Sequence, residues 1–485
     1  MFLALSRKFF LGDTEADYLG TYLPEAERFL SAEPLLLKFH PPLYPILVAV
    51  TNNLFHNWFA TGLVISWLSS FVVLVVIFMF FHRLAGEWAA MGSILALAGA
   101  PSFLVHAATA SSDMTFLALY SSCFLFALLA DEKKSRFFWF LSGFFIALVF
   151  LTRANALSLI PVFVLPWVGR SGRDDGKLFL FFLVGFLIPA LAWVYYACSS
   201  HSSLWIREAH VDLAMTYFAP AGDRMTYDAY SVLRGQFANW WDVIRYDPLR
   251  MISMYAVDFV FMIGRNLLLL VFPIFSIAAL VGFRVFLKSS RKPFVYVYLV
   301  TTALHLILMN LKAYESRFYL FLIPFVGAST GSFLDWILAK KFQQQKTGIL
   351  PTVVFLSLFF LSVSFSVAVA YTELHPAFEV ELQEAVPEAR NAIPPGSIVV
   401  ARKPNLSFYT GSTLSYFPNV ETFDELRREL TQLPKGKNIF LYYGSYEREM
   451  RPQFSELGGE GTLPFLVPIA RSKMSRDWVL YRVNL

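Results

Sequence analysis

Charge is what this sequence has least of: Asp, Glu, Lys and Arg make up only 15% of its 485 residues, where a water-soluble chain carries about a quarter. With 56% hydrophobic residues beside it, that shortage excludes an ordinary soluble domain. Cysteine is scarce as well. Cys123 and Cys198 both sit inside apolar runs, so a disulfide framework is excluded. Net charge is only +5, and the basic residues fall in short clusters between apolar stretches. No contiguous basic face exists to follow phosphates, so nucleic acid is excluded as a partner. Internal repeats and low-complexity tracts are missing, and the opening MFLALSRKFFL lacks the apolar core and cleavage site of a secretory leader.

What is present is apolar sequence in long blocks, with 51 Phe and 11 Trp suited to lipid-facing surfaces and interfacial belts. Crossing the hydrocarbon core takes about 20 apolar residues. That length predicts about ten spans, near 60–82, 87–108, 114–130, 137–152, 154–169, 177–199, 262–287, 293–311, 317–339 and 348–371. The two flanking Arg153 are short, which suits a bent or re-entrant pair. The connections alternate in charge. One set holds Arg83; Lys133, Lys134 and Arg136; Arg170, Arg173 and Lys177; Arg284, Lys288, Arg291 and Lys292; and Lys340, Lys341 and Lys346. By the positive-inside rule these face the cytoplasm. The outer loops 12–42 and 200–256, the turns near Asp113, Arg153 and 312–316, and everything after 372 then face the other side. Only eleven residues precede the first outer loop, so either a first span is missing or the chain starts on the outer face.

The expected domains are a membrane domain over 1–371 and an extracytoplasmic α/β domain over 372–485. In the tail, SIVVAR, NIFLYYG and WVLYRV read as strands and FDELRRELTQL as an amphipathic helix. The fold class expected is an α-helical polytopic membrane protein with a small C-terminal α/β domain, in a plasma or inner membrane.

Candidate chemistry gathers on the outer side. The first loop holds Asp13, Glu15, Asp17, Glu25, Glu27 and Glu33 against Arg28 and Lys38. Such carboxylates serve as general bases or metal ligands, or simply as a solvated loop. His40 opens HisProProLeuTyr, either an anion or sugar ligand or an incidental residue of a stiff helix entry. Asp113, in ATASSDMTF, is costly at the hydrocarbon edge unless paired, functional or serving as a helix cap. Arg153, in LTRANAL, either binds a lipid phosphate with its guanidinium fork or snorkels to the headgroups. Arg317, in ESRFYLFLIPF, repeats the argument at another outer turn, with Glu315 as a possible partner.

The order of these features resembles the GT-C membrane glycosyltransferases: an acidic, Tyr-containing first outer loop, then HPPLYP, an Asp-bearing second outer turn, LTRANAL and ESRFYLFLIPF. Bacterial members similar to protein O-mannosyltransferases and to the aminoarabinose transferases of lipid A carry them in the same order. The tail IPPGSIVVARKPNLSFYTGSTLSYFP is similar to the outer domain of many such members. The resemblance implies transfer of a sugar from a polyprenyl-phosphate donor to a lipid, glycan or protein acceptor on the non-cytoplasmic face. It implies a first-loop general base, Asp13 or Asp17, the register of Asp13-Thr-Glu15-Ala-Asp17-Tyr18 leaving both open. Arg153 and Arg317 would stabilise the departing phosphate, with His40, Asp113 and Glu315 beside donor or acceptor. No metal or cofactor is required, a lipid phosphate being a good leaving group already, although carboxylates from two loops suit one divalent cation. A secondary transporter, or a flippase for a lipid-linked glycan, is the competing reading. Paired repeats and midplane ionisable groups would mark the transporter.

Overall fold

The computed structural model describes residues 17–37, 40–167, 175–204, 209–219, 227–269, 273–289, 291–310, 316–342, 353, 357, 360–361, 363–370, 377–418, 420–434, 436–459, 463–473 and 478–485. The chain divides into two compact units. One, Glu25–Ala209 with Trp241–Tyr371, is helical. The other comprises the described residues of Met1–Pro24, His210–Trp240 and Thr372–Leu485.

In the helical unit the principal elements are α1 (Leu43–Phe55), α2 (Trp58–Ala85), α3 (Glu87–Ala98), α4 (Pro101–Ala107), α5 (Asp113–Lys133), α6 (Arg136–Thr152), a 3-10 helix (Ala154–Val164), α7 (Asp175–Ser199), α8 (Pro248–Leu269), α9 (Pro273–Ser289), α10 (Lys292–Asn310) and α11 (Ile323–Phe342). Among the described residues, α2, α5, α7 and α10 are long and apolar enough to cross a membrane. A fifth crossing forms if α3 and α4 make one span, bent by 66°. That break falls where Pro101 withholds the amide that would continue α3. The expected span 262–287 falls on α8 and α9, and residues 270–272 between them lie outside the described residues. Helix α1 follows the HisProPro helix entry but was not counted among the spans, because its apolar run is short. Half of the expected span 348–371 lies outside the described residues, and its described part, including 363–370, is helical.

Small residues set how closely the helices cross. At Gly92 of α3 an added Cβ would overlap the Gly327 carbonyl oxygen of α11, and at Gly331 it would overlap that of Trp88. Gly327 and Gly331 are four residues apart on one face of α11, so the two backbones touch along a glycine seam. Gly143 of α6 and Gly185 of α7 approach the Phe182 and Phe140 carbonyls in the same way. Where bulk is allowed, aromatics fill the centre. Tyr120 and Phe124 of α5 pack on Tyr298 of α10 and Phe80 of α2, and the Tyr298 hydroxyl donates to the Phe321 carbonyl at 2.6 Å.

The tail forms α12 (Ala377–Ala392), β1 (Ile398–Ala401), α13 (Asn405–Thr410), β2 (Thr413–Tyr416), α14 (Phe423–Thr431), β3 (Ile439–Tyr443), α15 (Ser445–Met450), β4 (Leu466–Arg471) and β5 (Val479–Val483). Its sheet order is β2-β1-β3-β5-β4, parallel across β2, β1 and β3, and antiparallel beyond. The central strands read as unbroken apolar runs because both faces are covered. Val400 and Leu441 belong to one core, Val399 and Phe440 to the other. A capping box of Thr422 and Glu425 starts α14. The three strands and the helix read from the tail sequence are β1, β3, β5 and α14; β2, β4 and α12 were not read.

Candidate functional site

Three separate turns bring charged residues to one end of the helical unit. Asp113 is the first residue of α5, and the turn before it is tied to α2. Ser66 Oγ donates to the Thr109 carbonyl at 2.8 Å, and the hydroxyls of Ser69 and Thr115 lie 3.1 Å apart. The cap position, Ser112, makes no side-chain cap bond, and the Asp113 amide donates to Ser111 Oγ at 3.4 Å. The Asp113 carboxylate sits in the first helical turn, where the aligned amides favour negative charge.

Arg153 closes α6. Its backbone is extended (φ −150°, ψ 144°), and the chain then tightens into the 3-10 helix. This break turns the guanidinium across to Asp113, where Arg153 Nη1 donates to Oδ1. Arg317, in the short 3-10 turn Ser316–Tyr319 before α11, places Nη1 3.4 Å from Oδ2. His106 Nδ1 of α4 lies 3.8 Å from the same oxygen. The side chains of Asp113, Arg153 and Arg317 are 6%, 11% and 13% exposed. That degree of burial matters, because exposed ion pairs form casually and enclosed ones do not. The cluster lines a pocket of about 230 Å³, including its open mouth, that is completed by Asn155 and His305 with Phe116 and Phe321.

A second charged cluster marks the opposite end of the bundle. Arg83 pairs with Glu132 at 2.8 Å; Arg291 reaches Glu132 at 3.3 Å and Asp131 at 3.5 Å; Lys134 reaches Asp131 at 3.1 Å. Asp113 and Glu132 are the two ends of one helix. At about 1.5 Å per residue they lie roughly 30 Å apart, the thickness of a hydrocarbon core.

Of the residues singled out in the sequence, Asp113, Arg153 and Arg317 come together. His40 is partly buried just before α1, with Pro42 at the helix entry. Asp17 is partly buried at the start of the π-turn Tyr18–Tyr22, in the other unit. Asp13 and Glu315 lie outside the described residues. Among the described residues, no group of three or more His, Cys, Asp and Glu is placed to hold a metal ion. Sequence reasoning passed over His106, Asn155 and His305. The one available signal was a histidine inside each of two apolar runs, FLVHAA and ALHLIL, a pattern that usually means core.

Comparison with known proteins bears on this arrangement. The family model of dolichyl-phosphate-mannose-protein mannosyltransferases matches residues 39–196, a stretch containing His40, Asp113 and Arg153. No curated protein matches the sequence. Among solved structures, ArnT from Cupriavidus metallidurans in its apo state is similar at 15% identity and TM-score 0.57, covering 99% of this chain and 95% of that one. The same protein bound to undecaprenyl phosphate matches at 15% identity and TM-score 0.55, with the same coverage. The oligosaccharyltransferase AglB from Archaeoglobus fulgidus, in complex with an inhibitory peptide and a dolichol-phosphate, matches at 12% identity and TM-score 0.51, covering 91% of this chain and 67% of that one. Helix order, the terminal α/β sheet and these likenesses together make the chain a multi-pass membrane protein with the GT-C glycosyltransferase fold.

Proposed function

We propose that this protein transfers a sugar from a polyprenyl-phosphate donor to an acceptor at the non-cytoplasmic surface of its membrane. The observation that carries the reading is the enclosed Asp113–Arg153–Arg317 cluster, built from three turns at the end of the bundle remote from the basic clusters. The positive-inside rule assigns those clusters to the cytoplasm, and so assigns the pocket and the tail domain to the other side. The proteins of similar fold include one bound to undecaprenyl phosphate and one bound to a dolichol-phosphate.

In the proposed reaction the acceptor hydroxyl attacks the anomeric carbon while the bond to the lipid phosphate oxygen breaks. The acceptor proton passes to a first-loop carboxylate, Asp13 or Asp17. The phosphate takes up negative charge as it leaves, and Arg153 and Arg317 are the groups to stabilise it in a partly dehydrated site. Asp113 is not the base in this reading, since guanidinium N–H groups already engage both its oxygens. Its part is to hold the two arginines in place. His40 and Glu315 are the further candidates for contacting donor or acceptor. The reaction requires no metal.

Radiolabelled polyprenyl-phosphate sugar, incubated with the purified protein and an envelope extract as acceptor, tests the proposal. The expected result is release of polyprenyl phosphate together with label in an acceptor. Label that accumulates inside proteoliposomes on an intact donor would support the transporter or flippase instead.

A further inference from the structure

The 3-10 helix after Arg153 has three residues per turn, so Asn155 and Ser158 stand above one another on one face. That face meets α10, where Ser158 Oγ lies 3.4 Å from His305 Nδ1. The imidazole is fully buried, with its ring centroid 4.3 Å from that of Phe321 and 5.9 Å from that of Phe116. Packing and the serine therefore fix the ring. Among the described residues its second nitrogen, Nε2, has no hydrogen-bond partner, and His305 lines the same pocket as Asp113, Arg153 and Arg317. A buried polar atom left unpaired is destabilising, because it has given up water without gaining a partner. In a native structure such an atom asks for a ligand.

We infer that His305 is a further donor-binding residue, whose Nε2–H hydrogen-bonds an oxygen of the lipid phosphate held by Arg153 and Arg317. The inference rests on the phosphate reading proposed above. With the Ser158 hydroxyl donating to Nδ1, the ring proton lies on Nε2. A phosphate oxygen beside the guanidiniums accepts a hydrogen bond from that N–H and gives Nε2 its partner. No charge on the imidazole is needed.

The test is titration of undecaprenyl phosphate, and separately of inorganic phosphate, into the full chain in detergent micelles. His305→Phe keeps the ring packing and loses the donor, so affinity for the lipid should fall roughly tenfold or more. His305→Gln carries an N–H near the place of Nε2 and should stay within about threefold of the parent. Arg153→Ala tests the phosphate site itself. Parent-like binding by His305→Phe beside weakened Arg153→Ala would make His305 a packing residue, overturning this inference and sparing the phosphate reading. Parent-like binding by Arg153→Ala, Arg317→Ala and His305→Phe together would remove both. Equal loss in the Phe and Gln variants counts against a donated hydrogen bond, and binding of inorganic phosphate without the lipid assigns the pocket to a free anion. If His305→Phe does not fold, Ser158→Ala carries the test: freeing the ring should weaken lipid binding, and unchanged affinity overturns the inference.

Discussion

At the scale of the residue, the three charged side chains of the pocket hold one another in place. Removing the carboxylate from a buried pair leaves uncompensated charge and costs about 3–5 kcal/mol. Asp113→Ala should therefore lower the melting temperature of the detergent-solubilised protein. Polyprenyl phosphate should restore more of that loss than it adds to the parent, because it returns negative charge to the same arginines; equal shifts in both would contradict this. Arg153→Lys separates the two roles read from the sequence. A snorkelling arginine tolerates lysine, whereas a guanidinium forked between carboxylate and phosphate does not. A drop of about tenfold in lipid-phosphate affinity is expected, and an unchanged affinity contradicts the phosphate role. Asp113, Arg153 and Arg317 were legible in the sequence because charge inside apolar surroundings is conspicuous. His106, Asn155 and His305 were not, since an uncharged polar residue in an apolar run looks the same whether it faces a core or a pocket.

At the scale of the element, backbone contact and buried carboxyls are the sensitive features. Gly331→Leu would drive a side chain into the Trp88 carbonyl, so α11 must leave α3 and the protein should lose thermal stability or fail to fold. Gly176→Ala meets nothing within 4 Å and should be neutral or mildly stabilising, as alanine favours helix. In the tail, Glu447 is buried beyond the ends of β1 and β3 and accepts from the amides of Arg402 at 2.6 Å and Gly444 at 3.1 Å. Burial raises its carboxyl to about 7 from an ordinary 4.5. The folded domain then binds more protons than the unfolded chain between those values. Its stability is fully present below about pH 4.5 and is lost as pH rises towards 7, by about 3 kcal/mol. Hydrogen exchange of the β1 and β3 amides in the full chain, corrected for intrinsic rates, should show that loss. Glu447→Gln should flatten it, and a pH dependence unchanged in the variant assigns the effect elsewhere. Spans were legible wherever an apolar run was long and bounded by charge, as in α2, α5 and α7. Strands β2 and β4 escaped because both are partly exposed and their sequences lack an unbroken apolar run.

At the scale of the whole molecule, one helix length separates two kinds of charge. Basic residues with Asp131 and Glu132 stand at one end of α5, and the enclosed arginines with Asp113 at the other. Their alternation was readable from the sequence because the positive-inside rule depends only on loop composition. Which outer residues converge was not readable, since that depends on how α4, α5, α6 and α11 cross. The proposed orientation has a direct consequence. With Cys123 and Cys198 replaced, a single cysteine at Glu421 should react with an impermeant thiol reagent in intact cells, and one at Lys134 only after permeabilisation. The reverse pattern would turn the molecule over and place the pocket in the cytoplasm.

The central claim is that the Asp113–Arg153–Arg317 pocket receives the donor's phosphate. The most direct measurement is an electron cryomicroscopy structure of the full chain with polyprenyl phosphate bound. The account predicts phosphate oxygens within about 3 Å of guanidinium nitrogens of both Arg153 and Arg317, with the prenyl chain leaving through the pocket mouth. A phosphate seated instead against the long loop 200–256, with the Asp113 cluster unchanged and unoccupied, would contradict it.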